Sequence, residues 1–251
     1  MPAALALSPH LDDAAFSCGG TLAVLARADW RVTMATLFTG SVVDPKGFAL
    51  ACQTDKGLPA EVDYMALRRG EDVDAARALG IAPPRHLPFR EAPHRGYASP
   101  PELFADVRPD DEIVPDLTRA LADLIAETAP DLILAPQAVG GHVDHVQVVS
   151  ALFDLAPAIP ILWWRDFPYT VRDAEPREPL RERFAGLPMR AIAFDDAAQT
   201  AKYEACAAYA SQLGFQFGGA DNLAAQLARE GGVERFRLSG TLPDGLARRI
   251  G

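Results

Sequence analysis

Residues 3–38 read AALALSPHLDDAAFSCGGTLAVLARADWRVTMATLF. Ala3 to Leu7 is a short continuous apolar run closed by Ser8 and Pro9, the pattern of a strand buried on both faces. From about Ala14 to Ala28, Leu22, Leu25 and Ala26 mark a helix, and Arg31 to Phe38 then alternates as a second strand. Strand, helix, strand is a βαβ opening, which predicts an α/β fold with a mostly parallel sheet.

The rest of the chain repeats this rhythm. Leu132 to Ala135, between Pro130 and Pro136, reads as another buried strand, followed by a helix from about His142 to Leu155. Ile161–Trp164 and Met189–Phe194 read as further strands, Arg85–Leu87 as a short one, and Val233–Leu238 as an edge strand. Helices are expected near Asp63–Leu79, stopped by Gly80 and the prolines at 83 and 84, and near Ile113–Ala126, Asp196–Ser211 and Asp221–Glu230. Thr39–Pro59 shows no clear periodicity and reads as a long loop of the lid kind, while the proline-rich stretch Pro88–Pro109 is placed to border a site. No linker and no fixed-period repeat divides the chain, so one domain over residues 1–251 is expected, Rossmann-like and with helices on both faces of the sheet.

Composition narrows the function classes. Hydrophobic residues at 49% and charged ones at 23% describe a globular chain, and the net charge of −10 argues against nucleic acid and anionic membranes as partners. Cys18, Cys52 and Cys206 are too few and too scattered for a disulfide framework or a thiolate metal site. No basic leader precedes the first strand and no apolar run approaches the roughly 20 residues of a membrane span, so the cytoplasm is the expected location. Oligomeric state leaves no trace in the sequence.

Three of the five histidines fall where strand ends meet loops: His10 in SPHLDD, and His142 and His145 in GGHVDH. In open α/β sheets ligands bind outside the carboxyl ends of strands, so these segments can converge although far apart in sequence. A catalytic zinc site needs about three His or carboxylate ligands and an open position. His10, Asp13 and His145 supply that set, with Asp12 pointing elsewhere and His142 three residues before His145 on the start of a helix. The plainer readings are that Asp12 and Asp13 cap the next helix and that His142 is a surface residue. The occurrence of both motifs, each after a strand, weighs against them.

SPHLDDAAFSCGG resembles the amino-terminal His-Pro-Asp-Asp signature of the PIG-L/LmbE family of zinc-dependent N-deacetylases, and GHVDHVQV resembles its His-Pro-Asp-His signature. LRRGEDVDAARALG, from Leu67, is similar to the family's Arg-x-x-Glu helix, and Lys202–Gln212 to its Lys-to-Ser-Gln helix. The resemblance implies one zinc ion held by His10, Asp13 and His145, Asp12 as general base, His142 stabilising the oxyanion and Asp144 orienting His142. It further implies Arg68 as a binder of substrate oxygens, with Glu91 the nearest acid for a second substrate contact; the plainer reading of Arg68 is a solvated helix residue. The expected substrate is an N-acetylated amino sugar or glycoconjugate. Leu11 and Val143 stand where the family carries proline and Ala14 where it often carries an acid, and none of these removes a ligand.

Two rival readings are a nucleotide-sugar transferase, with Asp12 and Asp13 on magnesium, and a non-catalytic sugar-binding module. Imidazole suits zinc better than magnesium, which disfavours the first. The aromatics of ILWWRDFPY (Trp163, Trp164, Phe167, Tyr169) read as strand packing more than as a sugar platform. Gly19-Gly20 reads as a point of close helix packing.

Overall fold

Strand β1 (Ala3–Ser8) is buried along its length, and its side chains divide between two cores: Ala4 and Ala6 on one face of the sheet, Leu5 and Leu7 on the other. Residues from β2 (Arg31–Thr36), β4 (Leu132–Pro136) and β5 (Ile161–Trp164) alternate in the same way, as a sheet covered on both faces requires. The computed structural model describes residues 1–242. With β3 (Arg85–His86), β6 (Met189–Ala193) and β7 (Val233–Ser239) these strands form one sheet in the order β3-β2-β1-β4-β5-β7-β6. The first five are parallel, and β7 runs antiparallel to both β5 and β6.

The helices are α1 (Asp13–Arg27), α2 (Gly47–Thr54), α3 (Tyr64–Ala78), α4 (Pro100–Leu103), α5 (Val114–Thr128), α6 (Val143–Leu155), α7 (Tyr169–Arg172), α8 (Arg181–Phe184), α9 (Asp196–Ala208), α10 (Ala210–Phe217) and α11 (Ala220–Ala228). One core collects side chains of α1, α3 and α9, and the other those of α5 and α6, so the expected Rossmann-like architecture with two helical layers is present. None of the described helices is long and apolar enough to cross a membrane. Helix α3 begins as the sequence predicts: Asp63 caps it by accepting the Ala66 N–H at 2.9 Å.

Three expectations need correction. Strand β7 is interior, because β6 covers the side read as an edge. Its charged alternation misleads because the inward Glu234 is buried and paired with Lys202 at 2.8 Å. The helix expected over Asp196–Ser211 breaks at Tyr209, whose hydroxyl donates to the buried Asp72 carboxylate at 2.5 Å. The segment Thr39–Pro59 is not wholly irregular: it contains α2, a helix too short for its periodicity to show.

The two glycines of α1 do pack closely. A Cβ on Gly20 would lie 2.6 Å from the Phe194 ring, and one on Gly19 3.2 Å from the Lys202 side chain. At Cys18 the backbone leaves helical geometry, and the Gly20 and Thr21 N–H groups past this kink donate to Glu234 at 2.9 and 2.7 Å.

Candidate active site

Strand order reverses between β1 and β4, the place where an open α/β sheet forms a crevice at its carboxyl edge. The chain leaves β1 through His10, Asp12 and Asp13 into α1, and leaves β4 through a loop that ends at His142, the N-cap of α6. That loop turns sharply, with positive φ at Ala138 (60°), Gly140 (94°) and Gly141 (78°). Both polar segments therefore face one another across the switch point.

His10 Nδ1, Asp13 Oδ2 and His145 Nε2 form a triangle with sides of 3.4, 3.1 and 3.2 Å. Ligands at about 2.0–2.1 Å from a tetrahedral zinc stand roughly 3.3 Å apart, so the donor atoms already have the spacing such an ion needs. His10, His142 and His145 also offer one nitrogen each, all within 4.8 Å of one another. Both sets gather candidate metal-ligating atoms at one point of the crevice, and His10 and His145 belong to both.

The capping reading of the Asp pair does not hold. Asp12 stands at the N-cap of α1 but its carboxylate makes no capping bond, while the Ser8 hydroxyl accepts the Ala14 N–H at 3.0 Å. Asp13 turns back to accept the His10 N–H at 2.7 Å. Nor is His142 a surface residue: it is buried, and its Nδ1 accepts the Asp144 N–H at 3.2 Å.

Asp144 corrects the expectation drawn for it. Its Oδ2 lies 2.8 Å from His10 Nε2 and 4.0 Å from His142 Nδ1, so the carboxylate orients His10, while only its backbone N–H serves His142. Arg95 holds the other oxygen at 2.7 Å and the Ala92 N–H donates to Oδ2 at 3.1 Å. Asp166 does for His145 what Asp144 does for His10, at 2.7 Å from Nδ1, and its second oxygen accepts the Val139 N–H. In the sequence Asp166 is hidden among the aromatics of ILWWRDFPY, and its one signal is that of an acid just past the end of β5, beside β4.

Arg68 is buried, which removes the reading of it as a solvated helix residue. It is already engaged: Nη1 donates to Glu91 at 2.6 Å and Nη2 to the Leu11 carbonyl at 3.0 Å, with Asp12 Oδ2 at 3.5 Å. Its Nε is buried and has no partner among the described residues. Glu71, at the end of the Arg-x-x-Glu match, accepts the Ser211 N–H and hydroxyl, both at 2.7 Å, and so ties α3 to α10. Of the remaining histidines, His86 pairs with Asp72 at 2.9 Å, away from the crevice.

Electrostatics follow from this packing. Burial opposes charge on every group, yet Asp13 and Asp144 raise the proton affinity of His10 well above its ordinary value, and Asp13 and Asp166 raise that of His145 to about 9. The carboxylates thus favour a cation between them. Burial pushes Asp12 up to about 7, with Arg68 opposing, and burial together with the neighbouring His10 brings His142 down to about 3.

A cavity of about 200 Å³ opens over these groups. His10, Asp12, Asp13, Arg68, Glu91 and His142 line it, with Phe104, Tyr169 and, from α2 and α10, Phe48, Cys52 and Phe215 among its walls. Trp163, Trp164 and Phe167 lie in the cores, as the packing reading expects, while Tyr169 faces the cavity.

Residues 5–156 match the PIG-L family, described as GlcNAc-PI de-N-acetylase. A 2'-N-acetylparomamine deacetylase of Streptomyces fradiae is 35% identical over 192 residues, which span 75% of this chain and 66% of that relative's length. Teicoplanin deacetylase Orf2, solved in a zinc-inhibited form, superposes with a TM-score of 0.80 at 27% identity, covering 95% of this chain and 98% of that one. The A40926 pseudoaglycone deacetylase Dbv21 gives 0.79 at 30% identity, covering 94% and 96%.

Proposed function

This chain belongs to the PIG-L family, and we propose that within it the chain is a zinc-dependent N-deacetylase that hydrolyses the N-acetyl, or another N-acyl, amide of an amino sugar or glycoconjugate. The observation that carries the reading is the triangle of His10, Asp13 and His145 donor atoms, beside a buried carboxylate that neither caps a helix nor lies within it. In this reading those three residues hold one ion per chain. A zinc ion supplies an acidified water and polarises the acyl carbonyl.

The protein's own groups do the rest. Asp12, with a proton affinity near neutrality, takes the proton of the attacking water. His142 stays neutral, and because its Nδ1 accepts the Asp144 N–H its proton sits on Nε2, free to donate to the acyl oxygen as negative charge develops there. A neutral imidazole is a weak acid, so Asp12, once protonated, returns its proton to the departing amine. Arg68 and Glu91 form a fixed pair on the cavity wall that offers both a donor and an acceptor to sugar hydroxyls. The reading takes residues 1–251 as one catalytic domain and the protein as cytoplasmic, in keeping with three unpaired cysteines.

The test is amine release from a panel of N-acetylated amino sugars and glycoconjugates by protein stripped of metal and then reloaded with zinc, iron or magnesium. Release that follows zinc supports the reading. Equal release by the stripped protein, or activity with magnesium alone, would remove it.

A further inference from the structure

Helix α7 begins with Tyr169, which enters the crevice beside the α6 loop. Its ring lies against Gly140, 6.4 Å from the His145 ring and 5.8 Å from Phe104, which in turn stands 5.3 Å from His142. Gly140 has φ of 94°, and a Cβ there would come within 2.5 Å of Tyr169 Cγ. The loop that delivers His142 and His145 therefore keeps a bare backbone where the Tyr169 ring rests.

The other end of Tyr169 differs from that of three other tyrosines. The hydroxyls of Tyr64, Tyr97 and Tyr209 each hold a hydrogen bond, to Gln212, the Arg108 N–H and Asp72. Among the described residues the Tyr169 hydroxyl has none, although the side chain lines the cavity that contains His10, Asp13 and His142. The side chain is half-buried, and a donor that lines a cavity wall with no protein group engaging it is open to a bound ligand.

We propose that Tyr169 is a further catalytic residue, whose hydroxyl donates a hydrogen bond to the acyl oxygen of the bound amide and works beside His142 on the charge that develops there. The inference rests on the deacetylase reading. A phenol ordinarily titrates at about 10, so at neutral pH it keeps its proton and acts as a donor. No proton is transferred from it; the bond strengthens as the oxygen gains charge.

Tyr169→Phe keeps the ring on Gly140 and removes only the hydroxyl. With an N-acetylated amino sugar as substrate, kcat should fall about 10²-fold, with KM within about twofold and zinc content unchanged. Acetohydroxamate, which presents an acetyl-type oxygen, should bind the zinc-loaded variant roughly tenfold more weakly in calorimetry. Gly140→Ala, which pushes the ring from its seat, should reproduce both losses. Unchanged kcat in Tyr169→Phe overturns the proposal, as does loss of zinc from that variant, which would make the residue structural. If the wild-type protein releases amine from no amino sugar, the deacetylase reading fails by itself, and acetohydroxamate affinity alone then decides: an equal value in wild type and Tyr169→Phe overturns the role of the hydroxyl, a tenfold difference keeps it.

Discussion

Helix α1 carries a buried charge cluster at two points along its length, and the two are balanced in opposite ways. At the kink, Glu234 accepts the Gly20 and Thr21 N–H groups and the Thr21 hydroxyl, and Lys202 sits between Glu234 and Glu230. Both oxygens of Glu234 and the Lys202 ammonium find partners within the chain. At the amino end of α1, Asp13 faces two imidazoles that are backed by Asp144 and Asp166. Anionic groups surround His10 and His145 and lift their proton affinity, so this cluster is short of a cation unless the rings protonate or an ion enters. A cluster closed on itself serves the fold; one left open serves chemistry.

The sharpest way to break this contrast is to remove a member of the open cluster. His145→Ala deletes one of the three proposed ligands, and zinc affinity should fall by more than the roughly 100-fold at which changes to outer partners end, with activity lost alongside. Thermal stability of the metal-free protein should change far less. Zinc near one equivalent in this variant would show that the donor triangle does not bind the ion.

The closed cluster should respond in the reverse sense. Lys202→Met leaves the buried Glu234 and the half-buried Glu230 without their cation, and breaking the buried Lys202–Glu234 pair lowers stability by about 3–5 kcal/mol. The zinc affinity of the folded protein should stay as in wild type. Urea unfolding and a zinc titration on the same sample check both halves, and a zinc defect equal to that of His145→Ala would dissolve the distinction between the two clusters.

Asp12 adjoins the open cluster without belonging to it. Asp12→Asn should retain zinc and lower kcat about 10²-fold. Because burial raises its pKa to about 7 and the base must be deprotonated, wild-type kcat/KM should fall as pH drops below that value. The acidic limb should vanish in Asp12→Asn; a limb that persists belongs to another group.

What was legible beforehand follows the same division. Hydrophobic rhythm exposed the parallel strands because a strand buried on both faces leaves an unbroken apolar run, as in Leu132–Ala135 and Ile161–Trp164. It misjudged β7, where the closed cluster places Glu234 on an inward face and makes an interior strand look solvated. The residues Asp12, Asp13, His142 and His145 could be singled out because two strand ends carried them in short motifs. Asp166 escaped, and Arg95 was reached only through its site-bordering segment, because an outer partner needs only one carboxylate or guanidinium at the right place in space, with no fixed spacing to the group it serves. The direction of Asp144 was equally invisible, since sequence neighbours on a helix start point to different sides and only the folded crevice shows which imidazole the carboxylate meets.

That direction yields the smallest effect and the most discriminating one. If Asp144 acts through His10, then Asp144→Asn removes the charge that fixes the His10 ring and raises its basicity, and zinc should bind about tenfold more weakly. The bond to His142 comes from the residue 144 backbone N–H, which asparagine retains, so the donor proposed for the acyl oxygen is left in place. At saturating zinc, kcat should therefore stay within about threefold of wild type. A role in orienting His142 predicts the opposite split: zinc affinity unchanged, kcat reduced at every zinc concentration. Competition against a chromophoric chelator gives the first quantity and turnover at saturating zinc the second. Glu230→Gln provides the matched control from the closed cluster, since it softens the Lys202 pair and should move neither.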